Sequence, residues 1–193
     1  MRLFIGSVLG DANQAALASA VRDLVASTHS VLRPIPAGTA HLTFSFIARA
    51  EVDDLARVVD VLRQVSVDWT PVAIELTAAR VLAARRKPRL VYAPIAAGHH
   101  AMERMAAEVH AALTVAVPSL EPSPTRSPHV TLARFRKNAR PTDAASVERA
   151  LATSPLASLA VRDVVSSLQI VRSTLTPSGP EYHELAAVPL TRP

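Results

Sequence analysis

One four-residue pattern occurs twice in this chain, as His41-Leu42-Thr43-Phe44 and as His129-Val130-Thr131-Leu132, each time after a stretch rich in proline or glycine. In a β-strand, alternate side chains share a face, so each histidine points the same way as the threonine two residues on. The intervening Leu42 and Val130 then point into a core. A chain that builds this strand twice must give both copies an apolar back and a polar front. None of the other five of its seven histidines has this setting. Two imidazoles and two hydroxyls on one surface suit acid–base chemistry at a phosphodiester.

The rest of the chain is organised around these strands. Residues 2–8 read as a first strand. Asp11 is a candidate N-cap for a helix whose apolar face runs through Ala15, Leu17, Val21, Leu24 and Val25. The loop 33–38 leads into the first motif strand, 41–48, and a second helix covers 51–66. Residues 72–83 read as one strand, 85–89 as a basic turn and 90–95 as its hairpin partner. A third helix spans 98–115. The proline-rich stretch 118–128 is expected to be an extended loop, followed by the second motif strand, 129–135. A helix near 143–152, an apolar stretch at 156–161, a strand at 164–172, a turn at 176–180 and a strand at 181–188 complete the chain. Both halves run proline-rich loop, motif strand, helix, so the expected fold is α+β. It comprises two similar lobes of antiparallel sheet and helices in a duplicated arrangement, with the cleft between them. Residues 1–193 are expected to form a single domain with two pseudo-symmetric lobes.

Composition narrows the class. With no cysteine there are no disulfides or thiolate metal sites, which fits a cytoplasmic protein. No apolar run approaches the ~20 residues of a membrane span, and the opening MRLFIGSVLGD is too short and too interrupted for a signal peptide. The net charge of +5 leans toward a polyanionic partner, whereas an aromatic content of 4% argues against an extensive base-stacking platform. His99, His100, Glu103 and His110 fall on a predicted helix without metal-ligand spacing, so no metal site is expected.

Beyond the quartet His41, Thr43, His129 and Thr131, two arginines are candidates for substrate binding. Arg126 lies in the loop before the second motif. Arg134 lies five residues after His129, an odd offset that faces the wrong way on an ideal strand, so a phosphate role there requires a bulge, a twist or the strand end. Phe46 stands at the same offset from His41 and is expected in the core. Arg85, Arg86, Lys87 and Arg89 form the densest basic run, either a solvated turn or an RNA-tracking patch.

The paired motifs, with MRLFI, RPIPAGTAHLTFSFI, KPRLVYA, SPHVTLARFR and LQIVRSTLTPSGPEYHEL in that order, resemble the 2H phosphoesterases, and more narrowly the RNA 2′,3′-cyclic phosphodiesterase (2′-5′ RNA ligase) family. The resemblance spans nearly the whole chain. It departs from the common pattern at Arg33, where an aromatic is usual, and at Ile47-Ala48, Tyr92 and Pro94. The resemblance implies hydrolysis of 2′,3′-cyclic phosphate ends to 2′-phosphomonoesters, with 2′-5′ ligation as a related activity. His41 would be the proton donor to the leaving 3′-oxygen and His129 the base that activates water, while Thr43 and Thr131 would bind the phosphoryl oxygens. No cofactor, membrane or obligate protein partner is implied; the expected partner is RNA or an oligonucleotide with a cyclic end. Alternatives are another 2H activity, on small cyclic nucleotides or 2′-5′ oligonucleotides, and an RNA-binding module without catalysis.

Overall fold

The computed structural model describes residues 1–28, 31–84, 87–125, 127–176 and 179–190. In chain order the elements are β1 (Leu3–Val8), α1 (Asp11–Ser27), β2 (Leu32–Pro34), β3 (His41–Ile47), α2 (Asp54–Val65), β4 (Val72–Leu76), β5 (Arg80–Ala84), β6 (Lys87–Pro94), α3 (His99–Ala116), β7 (Ser123–Pro124), β8 (His129–Phe135), α4 (Pro141–Ala152), β9 (Val161–Val165), β10 (Ser167–Thr176) and β11 (Gly179–Pro189). The architecture is α+β, with two main antiparallel sheets ordered β11-β10-β1-β3-β7 and β2-β8-β6-β5 and a small sheet β4-β9. Helices α2 and α3 back the first sheet, and α1 and α4 back the second. Leu42, Phe44, Val130 and Leu132 are fully buried in the core between sheets and helices. Among the described residues no helix is long and apolar enough to cross a membrane.

The two halves exchange segments. The stretch before the first motif contributes β2, which pairs with the second motif strand, β8. The stretch before the second motif contributes β7, which pairs with the first motif strand, β3. Each loop expected from its prolines therefore ties the opposite lobe, and proline is tolerated there because β2 and β7 are sheet edges.

Two strands read as continuous are divided. Residues 72–83 split into β4, which pairs with β9, and β5, which pairs with β6. The expected strand 164–172 is likewise cut, with β9 ending at Val165 and β10 starting at Ser167 in the large sheet. Alternation of apolar and polar residues is the same whichever sheet a strand joins, so the pattern carries no mark of the switch. Of the expected basic turn, Arg85 and Arg86 lie outside the described residues, while Lys87 and Arg89 belong to β6.

Candidate active site

Both motif strands carry a β-bulge at the same place. Along β1 and β3, Ile5 pairs with Ser45 and the next residue, Gly6, pairs with Thr43, leaving Phe44 without a partner. Along β6 and β8, Val91 pairs with Ala133 and Tyr92 with Thr131, leaving Leu132 over. Each skipped residue is the third after its histidine. One extra residue resets the strand's alternation, so the fifth residue after the histidine returns to the histidine's face. That is how Arg134 comes onto the histidine's face, where its charge acts on both His41 and Tyr182. Phe46, expected in the core, is 46% exposed and sits beside Phe4 with ring centroids 6.4 Å apart.

The imidazoles are oriented alike. Nδ1 of His41 lies 2.6 Å from the Thr39 carbonyl, and Nδ1 of His129 lies 2.9 Å from the Ser127 carbonyl. A carbonyl only accepts, so each Nδ1 carries the proton and donates, leaving Nε2 of the neutral ring as a free base. Among the described residues neither the Thr43 nor the Thr131 hydroxyl has a hydrogen-bond partner, so both remain available to a ligand.

The approach to His41 is braced from α1. The buried Gln14 donates to the carbonyls of Leu9 (3.2 Å) and Ala40 (2.8 Å) and accepts from the Ala40 amide (2.8 Å). Thr39 in turn donates to the Pro36 carbonyl at 2.6 Å. Nothing in the sequence alone assigns Gln14 this role; its one signal is its place on the stripe continued by Leu17, Val21 and Leu24.

The lobes differ around their histidines. His41 is stacked on Phe4 (4.4 Å between centroids) and meets the edge of Tyr182 (5.3 Å). Among the described residues His129 has one aromatic ring against it, Tyr92, at 5.2 Å in a T-shaped arrangement. Burial in this aromatic box holds the His41 pKa below its ordinary 6.5; the Thr39 carbonyl opposes that shift, and the charges of Arg134 and His129 add to it. Burial raises the Tyr182 phenol above its usual 10.0, against the pull of Arg134. For His41 the unfolded chain takes up a proton first, so the fold loses stability as pH falls from about 6.5 toward the lowered folded value, and the group contributes no pH dependence above that range. The Tm of the protein is expected to fall more steeply than that of a His41→Asn variant on going from about pH 7 to pH 5; parallel curves would contradict the burial assigned to this ring.

Of the other predicted residues, Arg126 lies outside the described residues. His99 and His100 stand in the first turn of α3, where Glu103 approaches His99 Nε2 at 3.1 Å and His100 Nδ1 at 3.7 Å. Arg33, which the sequence marks only as a departure from the family pattern, stands directly across from Arg134.

Two intertwined lobes, each presenting one imidazole and one hydroxyl from a bulged strand, with His129 near enough for its charge to act on His41, define a 2H phosphoesterase. The model of the 2′-5′ RNA ligase superfamily matches residues 11–173, and the chain belongs to that superfamily, a group of phosphoesterases and ligases. Among solved structures, TT0787 of Thermus thermophilus is 24% identical with a TM-score of 0.76, covering 98% of both chains. Escherichia coli LigT complexed with NADP+ is 18% identical with a TM-score of 0.71, covering 99% of this chain and 98% of its own. Usb1 of Kluyveromyces marxianus is 14% identical with a TM-score of 0.55, over 95% and 97% of the two chains. These likenesses establish the fold. No curated protein sequence matches the chain.

Proposed function

We propose that this protein is an RNA 2′,3′-cyclic phosphodiesterase that opens terminal cyclic phosphates to 2′-phosphomonoesters by two-histidine acid–base catalysis without a metal ion. The observation that carries the reading is the matched pair of imidazoles, each with Nδ1 fixed by a backbone carbonyl, beside two threonine hydroxyls; among the described residues neither the Nε2 atoms nor these hydroxyls have a partner. In-line opening needs a base for the attacking water and an acid for the departing ribose oxygen on opposite sides of phosphorus. His129 takes the water's proton, and His41 delivers a proton to the 3′-oxygen as the P–O3′ bond breaks. Thr43 and Thr131 donate to the non-bridging oxygens, where negative charge builds in the transition state. Arg134 supplies a compensating positive charge from the same face.

His41 is neutral at neutral pH in the free protein, because burial penalises its charged form. A phosphate bound beside it supplies the missing counter-charge and raises its pKa, so that substrate itself arms the acid. Nucleotide binding also accords with the complexes of LigT with 3′-AMP and ATP.

The test is direct. An oligonucleotide ending in a 2′,3′-cyclic phosphate is incubated with the protein in EDTA, and the product end group is identified. A 2′-phosphomonoester is expected at a rate EDTA does not change. Persistence of the cyclic end with folded protein present would overturn the reading.

A further inference from the structure

The cleft face of the second lobe extends past Arg134. Leu32 and Phe135 are cross-strand partners and both are buried, so the next pair, Arg33 and Arg134, faces the other way, toward the cleft. Directly opposed residues of antiparallel strands lie about 5 Å apart at Cα, and like charges in that position destabilise a sheet. The charge of Arg134 acts on His41 and Tyr182. Arg33 is exposed and has no carboxylate within ion-pair distance among the described residues. Two adjacent guanidinium groups, one turned to the catalytic histidine and one unneutralised, call for two anionic groups on one ligand.

Behind Arg33 lies a cavity of about 570 Å³ between α1, the loop after β2 and the start of β11. Its walls are mainly apolar, with Leu17, Val21, Ile35 and Pro180, and the charged Arg22, Arg33 and Glu181 also line it. A flat, largely apolar group tethered to a phosphate fits this combination. Resting on the phosphodiesterase reading above, we propose that Arg33 and this groove form a subsite for the nucleotide upstream of the reacting end. Arg33 binds that nucleotide's phosphate, and the groove takes its nucleoside. The substrate is then a chain of at least two nucleotides, not a cyclic mononucleotide.

Kinetics on two substrates test this: a nucleoside 2′,3′-cyclic phosphate, and a dinucleotide ending in the same cyclic nucleotide. The dinucleotide should have the higher kcat/KM. In Arg33→Gln the ratio of the two kcat/KM values should fall about tenfold, through the dinucleotide's KM, as loss of a charge-assisted contact implies. The salt dependence of that KM should flatten by about 0.7 in log–log slope, the value for one single-strand phosphate contact. Ala18→Trp, which fills the groove from α1 while leaving Arg33 in place, should lower the same ratio. An unchanged ratio in either variant, or no dinucleotide preference in the parent protein, overturns the subsite while leaving the phosphodiesterase reading intact. Turnover of neither substrate by the parent protein overturns that reading, and the subsite with it.

Discussion

Replacing either His41 or His129 by alanine is expected to lower kcat on a cyclic-phosphate oligonucleotide about a hundredfold or more. In the proposed mechanism each histidine moves a different proton in the same displacement, so neither can stand in for the other. The loss should fall on kcat with little change in KM, because Arg134, Thr43 and Thr131 still bind the phosphate. The double variant should be little worse than the single ones, as for groups that act as a unit. Stability separates the two replacements. His41 is packed between two aromatic rings, Phe4 and Tyr182, whereas among the described residues His129 has one, Tyr92, so His41→Ala should melt lower than His129→Ala. Steady-state kinetics with a melting curve for each variant make the check. Near-parental kcat in either one removes that residue from the mechanism.

What the sequence makes legible, and what it hides, follows from the range of the forces involved. Helices α1 and α3 are readable from their own apolar spacing, because a helix satisfies its hydrogen bonds locally. The motif strands and the shared face of His41 with Thr43, and of His129 with Thr131, follow from alternation within one strand. The bulges at Phe44 and Leu132 do not. A bulge is a relation between two strands, and nothing in β3 alone says that β1 pairs Ile5 with Ser45 and then Gly6 with Thr43. Simple alternation therefore sent Phe46 to the core and left Arg134 conditional on a bulge. The same limit applies to the crossing of β2 and β7 into opposite lobes, and hence to Arg33, which acquires meaning only once its partner is known to be Arg134. Tyr182 is a further case, since 141 positions of chain separate it from the histidine whose edge it meets.

The first bulge also makes Gly6 the least replaceable small residue near the site. A Cβ at Gly6 would lie 2.2 Å from the Leu42 carbonyl oxygen and 3.3 Å from Cδ2 of Phe4. The first neighbour is backbone of the motif strand itself and cannot swing aside as a side-chain tip can. Gly6 is not among the glycines with positive φ, so the demand is for space and not for an unusual backbone conformation. In the second lobe the corresponding position is Tyr92, paired with Thr131 as Gly6 is with Thr43, and its side chain stands against His129. Glycine at the first-lobe position thus leaves Phe4 room to reach under His41. Gly6→Ala should force β1 and β3 apart at the bulge, costing about 3 kcal/mol and lowering Tm by about 6–12 °C. Because the strain falls between Leu42 and Thr43, turnover should drop as well, even below the melting range. Gly10→Ala is the matched control: its added Cβ meets nothing closer than 3.7 Å, and its Tm should stay near the parent's. If Gly6→Ala melts and turns over like the parent, the bulged register does not constrain this position, and the account of how His41 and Thr43 are held fails with it.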